Sequence, residues 1–514
     1  MAEVMAATLL DPMFYLFVLL GVALGIIFGA IPGLNTPVAI ALVLPVTYSL
    51  NIAHTCALLM GVFMGGVSGG LISAILLNIP GTAAAIATVL DGHPMAQKGE
   101  GARALALGTF VSFIGGIFSA VVLMLFTPVL SSFAIQFGPW EYFGVTLFAL
   151  TLVITLMEGK MIKGFISTII GLLLACVGMS PIDGTQLRFT LGSLNLAGGF
   201  DIILVVIGLY AFSEILVTVG DLKEDRTVVK YEKKWFYLPD KRDLKGQGGN
   251  ILRSSIIGTI IGILPGIGAT VAGMFSYTQA KRFSKHPEKF GTGCPDGIIA
   301  SETANNAVTG GALVPMLSLS VPGDPSTAVI LGAFMIQGIS CGPLLVTQHL
   351  DIFQTVLVAV FVANIFMYIV QAGTIRWTAQ LLLVPKYTLM PLIVAFCSIG
   401  AFTVNNRVFD LYMLLAFSVL GFLLKENDYP LMPMVLAFIL GDLIEPYYRR
   451  SVLYYNGNLL NAFTEFSLGT VFVVLAVISP FLGVAYDKYK KKKRERAAAA
   501  AATAGPEQTE EAQE

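Results

Sequence analysis

Gly29-Ala30-Ile31-Pro32-Gly33-Leu34-Asn35-Thr36-Pro37-Val38-Ala39 is answered later in the chain by Gly262-Ile263-Leu264-Pro265-Gly266-Ile267-Gly268-Ala269-Thr270-Val271-Ala272. The shared pattern is G-x-[IL]-P-G-[LI]-x-x-x-V-A. A second pair follows in the same order, Leu77-Asn78-Ile79-Pro80-Gly81-Thr82 and Leu319-Ser320-Val321-Pro322-Gly323-Asp324. Small residues precede both: Gly65-Gly66-Val67-Ser68-Gly69-Gly70 in one half, Thr309-Gly310-Gly311 in the other. The spacing between the motifs is nine residues longer in the second half, a difference that the polar loop around His286–Cys294 absorbs. Lys163 to Pro181 also resembles Asp410 to Pro430, more weakly. Two motifs in one order, twice, mark an internal repeat.

The surroundings of the repeat are apolar. Of 514 residues, 56% are hydrophobic and only 12% charged, about half the charge of a soluble domain. Formal net charge is -1, so no global field draws in nucleic acid. The five cysteines, Cys56, Cys176, Cys294, Cys341 and Cys397, are scattered with no metal spacing and read as small packing residues. Residues 1–12 lack Lys and Arg, and the first apolar run leads into further membrane segments, so no cleavable signal peptide is expected.

A membrane span needs about 20 apolar residues. Candidate runs lie near 13–31, 33–50, 55–78, 103–130, 141–157, 163–180, 201–220, 251–264, 267–280, 297–319, 352–372, 388–404, 408–424, 430–446 and 466–486. Several are short or rich in Gly and Pro, which suits half-helices or hairpins. The expectation is an all-α polytopic membrane protein with inverted-topology repeats, Pro-Gly-broken helices and re-entrant hairpins, of about 11 to 15 membrane segments. If every run crosses, the loops on one side hold 27 of the 31 Lys and Arg, leaving Arg188, Arg407, Arg449 and Arg450 on the other. The positive-inside rule then puts the N-terminus outside and the C-terminus in the cytoplasm. Making one adjacent pair of runs a hairpin leaves orientation elsewhere unchanged. The expected organisation is a first membrane repeat over 1–220, a cytoplasmic linker over 221–250, a second repeat plus a C-terminal span over 251–487, and a tail over 488–514. The tail is basic at Lys488 to Arg496, where it meets anionic lipid, and then Ala-rich, acidic and disordered.

The span before the first motif enters from outside; the one before the second follows the basic linker and enters from inside. The two copies are therefore inverted, a hallmark of many secondary transporters. At each break Pro removes a backbone donor and Gly weakens the helix. Open backbone at membrane depth is tolerated when it is buried in protein or faces water. Its exposed N–H groups suit anions and its carbonyls suit sodium. The plain alternative is that Pro and Gly merely kink packed helices. Four breaks, paired by the repeat and flanked by polar residues, favour a site.

The helix-break residues are Pro32, Gly33, Pro80, Gly81, Pro265, Gly266, Pro322 and Gly323. Candidate substrate ligands are Asn35, Thr36, Asn78 and Thr82 in the first half and Thr270, Asn305, Asn306, Ser320 and Thr327 in the second. Ser326 is a further polar residue at the last break. In a helix over 297–319, Glu302, Asn305 and Asn306 share a face. Ionisable groups inside a bilayer are costly and usually functional, so Glu302 and Asp324, with Asn306, are the candidates for holding a coupling cation or proton. The alternatives are that Asp324 caps a half-helix and that Glu302 sits near the cytoplasmic edge. With almost no Lys or Arg deep in the membrane, an anionic substrate needs helix ends, polar side chains and a co-bound cation. That favours symport over uncoupled flow.

Gly66-Val67-Ser68-Gly69-Gly70 matches the G-x-S-x-G pattern of hydrolases, but His54, His93, His286 and His349 all fall in or near loops, and a helix-packing segment is the better reading. No Walker loop and no metal-ligand spacing occurs in the sequence, so no enzyme activity, no structural metal and no cofactor beyond the coupling ion, Na+ or H+, is expected.

At Gly29–Ala39, Asn78–Thr82, Asp91-Gly92-His93-Pro94 and above all Ser301-Glu302-Thr303-Ala304-Asn305-Asn306 through Val321-Pro322-Gly323-Asp324-Pro325, the sequence resembles the large membrane subunit of the tripartite tricarboxylate transporters, the TctA-type permease. The likeness runs over roughly residues 10–490. It implies a bacterial inner-membrane secondary transporter for citrate-like or other organic carboxylates, coupled to sodium or protons. It implies two partners, a small membrane subunit and a periplasmic solute-binding protein. An elevator-type motion of the hairpins is a further analogy. The rival readings are an uncoupled carboxylate channel or facilitator, which predicts rings of charge along a path, and an intramembrane hydrolase dependent on Ser68.

Overall fold

The computed structural model describes residues 8–155, 157, 160–180, 186–219, 236–382, 386–464, 467–481 and 483. Most of the 221–250 linker and the whole tail over 488–514 lie outside the described residues, as do the basic residues they contain.

The first repeat opens with α1 (Pro12–Ala30), capped by the Asp11 side chain, which accepts from the Met13 N–H at 2.9 Å. Helix α2 (Thr36–Thr47) follows, capped by Asn35, and then α3 (Ile52–Leu77), capped by Asn51. Helix α1 starts beside His54, whose Nε2 lies 2.7 Å from Asp11, and Gly29 near its end packs on Gly66. Helix α2 begins against Gly66 and ends beside Thr55. The chain therefore enters, turns at Pro32-Gly33 halfway along α3, and returns. The runs near 13–31 and 33–50 are one re-entrant hairpin, not two crossings. Length dictates this: the 12-residue α2 is about 18 Å long against a hydrocarbon core of about 30 Å.

After Pro80-Gly81 the chain forms α4 (Ile86–Met95), α5 (Gly101–Ala134), α6 (Pro139–Thr155), α7 (Met161–Ala175) and α8 (Ile202–Val206, continuing through Ile207–Phe212 into Ser213–Val219). A small ribbon pairs Gly178–Met179 with Leu187–Arg188 before α8. The second repeat begins with α9 (Gly248–Ile263) and α10 (Gly268–Phe283), again a hairpin, since the Ser276 hydroxyl donates to Ser254 at 2.8 Å where its two arms reconverge. Then come α11 (Pro295–Leu319), α12 (Pro325–Ile336), α13 (Leu350–Leu382), α14 (Lys386–Asn405), α15 (Val408–Glu426), α16 (Leu431–Tyr454) and α17 (Leu468–Phe481). Among the described residues six helices are long and apolar enough to cross a membrane.

The two halves repeat in backbone as well as in sequence. Helix α1 ends on extended Ile31 (φ -88°, ψ 115°) and α9 on extended Leu264 (φ -84°, ψ 115°). Gly33 and Gly266 follow at φ 92° and 87°, a left-handed region that a side chain resists. Helices α3 and α11 end on left-handed Asn78 and Ser320, at φ 61° and 59°. Each hairpin packs parallel to the long helix of its half through small residues: a methyl on Gly25 would lie 2.4 Å from the Val62 carbonyl oxygen, and one on Gly258 2.2 Å from that of Ala304. Helix α3 runs from the end of the molecule holding Asp11 and His54 toward the end holding Lys98. Helix α11 runs the other way, parallel to α5. The hairpins thus enter from opposite ends and meet tip to tip.

One end carries the lysines. Lys98 donates to the Thr292 carbonyl at 2.6 Å, Lys160 to Asp428 at 2.6 Å, and Lys425 to Glu214 at 2.6 Å. The Lys160 hydrogen bond holds the exposed Asp428 carboxyl below its ordinary range. The opposite end carries Arg188 and Arg449, both on Glu445, and Arg407 on Asp410. The outer helices exchange partners between halves: Gly208 of α8 packs on Phe417 of α15, and Gly171 of α7 on Met434 of α16.

Candidate functional site

Where the hairpin tips meet, the structure encloses a cavity of about 280 Å³. All four breaks reach it. Asn35 and Thr36 come from the start of α2, Thr82, Ala83 and Ala84 from the turn before α4, Gly266 to Thr270 from the start of α10, and Asp324 to Ser326 from the start of α12. Each segment opens a helix, so free backbone N–H groups and the positive ends of helix dipoles converge on one space. The second break of each half is seated on the first: the Gly81 N–H donates to Gly70 at 3.2 Å, and the Gly266 N–H donates to the Gly323 carbonyl at 2.9 Å.

Side chains complete the lining. The hydroxyls of Thr82 and Tyr210 are buried and have no hydrogen-bond partner among the described residues. Buried polar groups without partners are rare, and two on one cavity wall are what a polar ligand would satisfy. Tyr210 lies in the π-helical stretch Ile207–Phe212, an irregularity that recurs at functional sites. The sequence reading did not include it; its only local signal is a tyrosine in an otherwise apolar span. Asp324 is both cap and wall. Its carboxylate accepts from the Thr327 N–H at 2.7 Å and the Thr327 hydroxyl at 2.8 Å, while it also lines the cavity. No lysine or arginine lines this cavity.

The structure brings together Asn35, Thr36, Thr82, Thr270 and Asp324, with Ser326 beside them. It places the other candidates elsewhere. Thr327 is fully buried in the capping box of α12. Asn78 is exposed where α3 ends. Ser320 ends α11 and donates its hydroxyl to the Cys341 carbonyl, facing a separate cavity. Glu302 and Asn306 lie in the middle of the protein rather than at an edge. The Glu302 carboxylate accepts from the Thr88 hydroxyl, from Ser112 at 3.0 Å and from the Asn306 amide at 3.4 Å. The Asn306 amide also donates to Ser112 at 2.8 Å. Neighbouring Asn305 is fully buried with both side-chain polar atoms unpartnered among the described residues. Thr88 stands on α4, about one turn beyond the Thr82–Ala84 wall, so Glu302 is tied to the helix that opens at the cavity.

Two motifs find other roles. Asp91, in Asp91-Gly92-His93-Pro94, is a fully buried latch between halves. One carboxylate oxygen accepts the N–H groups of Gly291, Gly293 and Cys294 at 2.9, 2.9 and 2.7 Å, and the other accepts the Tyr277 hydroxyl at 2.9 Å. Ser68 of the G-x-S-x-G stretch donates to Gln371 at 2.7 Å across the α3–α13 contact, so its hydroxyl is spent on helix packing.

Comparison with known proteins decides the family. The model of the tripartite tricarboxylate transporter TctA family matches residues 15–436. The chain belongs to that family. It is a membrane subunit of a tripartite tricarboxylate transporter. Among curated proteins it is 33% identical over 477 residues to an uncharacterized 52.8 kDa protein in the TAR-I ttuC' 3'region of Agrobacterium vitis, an alignment covering 92% of this chain and 94% of that one. It is 34% identical over 227 residues to an uncharacterized protein in the TAR-II ttuC' 3'region of the same organism, covering 43% of this chain and 94% of that one. No solved structure matches.

Proposed function

We propose that this chain imports organic carboxylates, tricarboxylates or related acids, by cation symport, and that the solute sits in the cavity at the meeting of the four breaks. The carrying observation is that convergence: helix N-termini from both inverted halves, plus the unpartnered hydroxyls of Thr82 and Tyr210, around a space with no cationic side chain. Such a space offers donors to a carboxylate but no counter-charge. Asp324 in the same wall would repel the solute by about 3 kcal/mol at ~5 Å and an effective dielectric of 20. A bound cation or proton at Asp324 removes that repulsion, and coupling follows from the geometry. Glu302, buried on Thr88, Ser112 and Asn306 with no cationic partner among its bonds, is the second candidate for carrying a proton or ion.

In this reading the lysine-bearing end faces the bacterial cytoplasm, so the N-terminus is periplasmic and the C-terminus cytoplasmic. A small membrane subunit completes the assembly and a periplasmic solute-binding protein delivers the carboxylate. The test is uptake of labelled citrate and other di- and tricarboxylates into proteoliposomes containing the three components, with sodium and proton gradients imposed separately. Thr82→Ala and Tyr210→Phe should weaken uptake while leaving assembly intact. Uptake that ignores both gradients would mean an uncoupled facilitator, and full activity in both variants would move the solute site elsewhere.

A further inference from the structure

At the end of the molecule opposite the lysines lies a second, larger cavity of about 520 Å³. It is bounded by the start of α6 at Gly138 to Thr146, by Ser320, by the turn Ser340–Leu344, and by Tyr447 and Arg450 of α16. Arg450 is exposed and makes no ion pair among the described residues; its guanidinium lies 6.0 Å from the Tyr447 ring centre. The other three arginines of this end are spent, Arg188 and Arg449 on Glu445 and Arg407 on Asp410. The cavity therefore holds a cation with no counter-ion, which the central cavity lacks.

The two cavities are stages of one route. Helix α16 lines the central one with Met432 and the outer one with Leu443 and Arg450, about 16 Å further along. Helix α6 runs beside it, from Gly138 in the outer cavity to Val153, which packs on Gly266 in the central wall. Between them stands an apolar layer of Val145, Leu150, Val153, Val321, Leu436 and Leu440. Val321 belongs to the break Ser320–Asp324, which shows Ser320 to the outer cavity and Asp324 to the inner one.

We propose that the Arg450 cavity is a receiving subsite for a carboxylate anion, outside the central site, with the Ser320–Asp324 break as the partition between them. The proposal rests on the central cavity being the solute site, and its test reads the outer cavity alone. Leu344 lines that cavity and is 52% exposed. In the full transporter, with Cys176, Cys294 and Cys341 changed to Ser, Leu344→Cys offers an accessible thiol. Its labelling rate is measured with the anionic sulfonatoethyl and the cationic trimethylammonioethyl methanethiosulfonates, in phosphatidylcholine nanodiscs with and without phosphatidylglycerol.

A free guanidinium at about 7 Å in water changes each reagent's local concentration about threefold, in opposite directions. Arg450→Gln should thus lower the anionic-to-cationic rate ratio by about five- to tenfold, and Arg450→Lys should keep it. Millimolar citrate should slow labelling in the Arg450 and Lys proteins and not in the Gln protein, in both lipid mixtures. An unchanged ratio in Arg450→Gln, or no protection by citrate, overturns the proposal. An Arg450 effect confined to discs with phosphatidylglycerol also overturns it, since the guanidinium would then be holding a lipid headgroup. Failure of the Thr82 and Tyr210 variants to impair uptake would leave this labelling result untouched.

Discussion

Asp324 does two jobs, and two substitutions separate them. As a cap it accepts the Thr327 N–H and hydroxyl through one carboxylate oxygen. Asn caps a helix about as well as Asp, so Asp324→Asn keeps that role, whereas Asp324→Ala loses about 1 kcal/mol of capping. As a wall of the central cavity it brings a negative charge. Against a monovalent cation at about 4 Å with an effective dielectric of 20, that charge is worth about 4 kcal/mol, or roughly a thousandfold in affinity. The two contributions differ enough to be told apart. Asp324→Asn should fold with an unchanged thermal midpoint yet lose cation-driven accumulation in proteoliposomes, and Asp324→Ala should lose both. The measurements are scanning fluorimetry of the purified protein across sodium concentrations, and initial uptake rates under each gradient. An Asp324→Asn protein with wild-type cation dependence would refute the reasoning and leave Asp324 as a cap alone.

Four other outcomes follow from the geometry. Glu302→Gln should keep the Thr88, Ser112 and Asn306 contacts and fold normally while uptake loses its response to the driving ion. Glu302→Ala leaves those partners buried and unmatched, at about 1–3 kcal/mol, and should lower the melting temperature. Asp91→Ala strips three N–H groups and the Tyr277 hydroxyl of their acceptor; limited proteolysis should then cut within 286–294, where the wild type resists. Gly258→Ala drives a methyl into the Ala304 carbonyl and should cost about 1–3 kcal/mol, read as a fall in thermal midpoint and in yield of folded protein.

The breaks were legible in the sequence because their cause is local. Pro cannot donate, Gly alone tolerates φ near 90°, and Asn35 or Asp324 caps the helix that resumes, so a few adjacent residues specify each turn. The direction after the turn was not local. Hydropathy alone permits 33–50 to be a crossing, and only the 12-residue length of α2 and its contact with α3 make it return. Asn35, Thr36, Thr82, Thr270 and Asp324 share a cavity because inverted copies bring equivalent turns together. Asn78 and Ser320 sit in the same motifs but end helices on the far side of each turn, and a motif does not say which side faces inward. Tyr210 escaped notice because its value comes from a π-helical register set by packing on α15. The surroundings of Glu302 likewise need Thr88 and Ser112, which lie about 200 positions away in sequence and meet it only in the fold.

The near-identical torsions at Ile31–Gly33 and Leu264–Gly266 bear on the transport cycle. Inverted halves that trade conformations carry a molecule from one face open to the other, and their joints then differ at either extreme. Here both joints hold one shape, so the arrangement lies close to the crossing point of that exchange. The chemistry is not so balanced: Thr82 and Asp324 occupy equivalent places with different charge. A backbone symmetric at its turning point and a charge on one side only would let an ion gradient choose the direction in which a reversible hinge does net work.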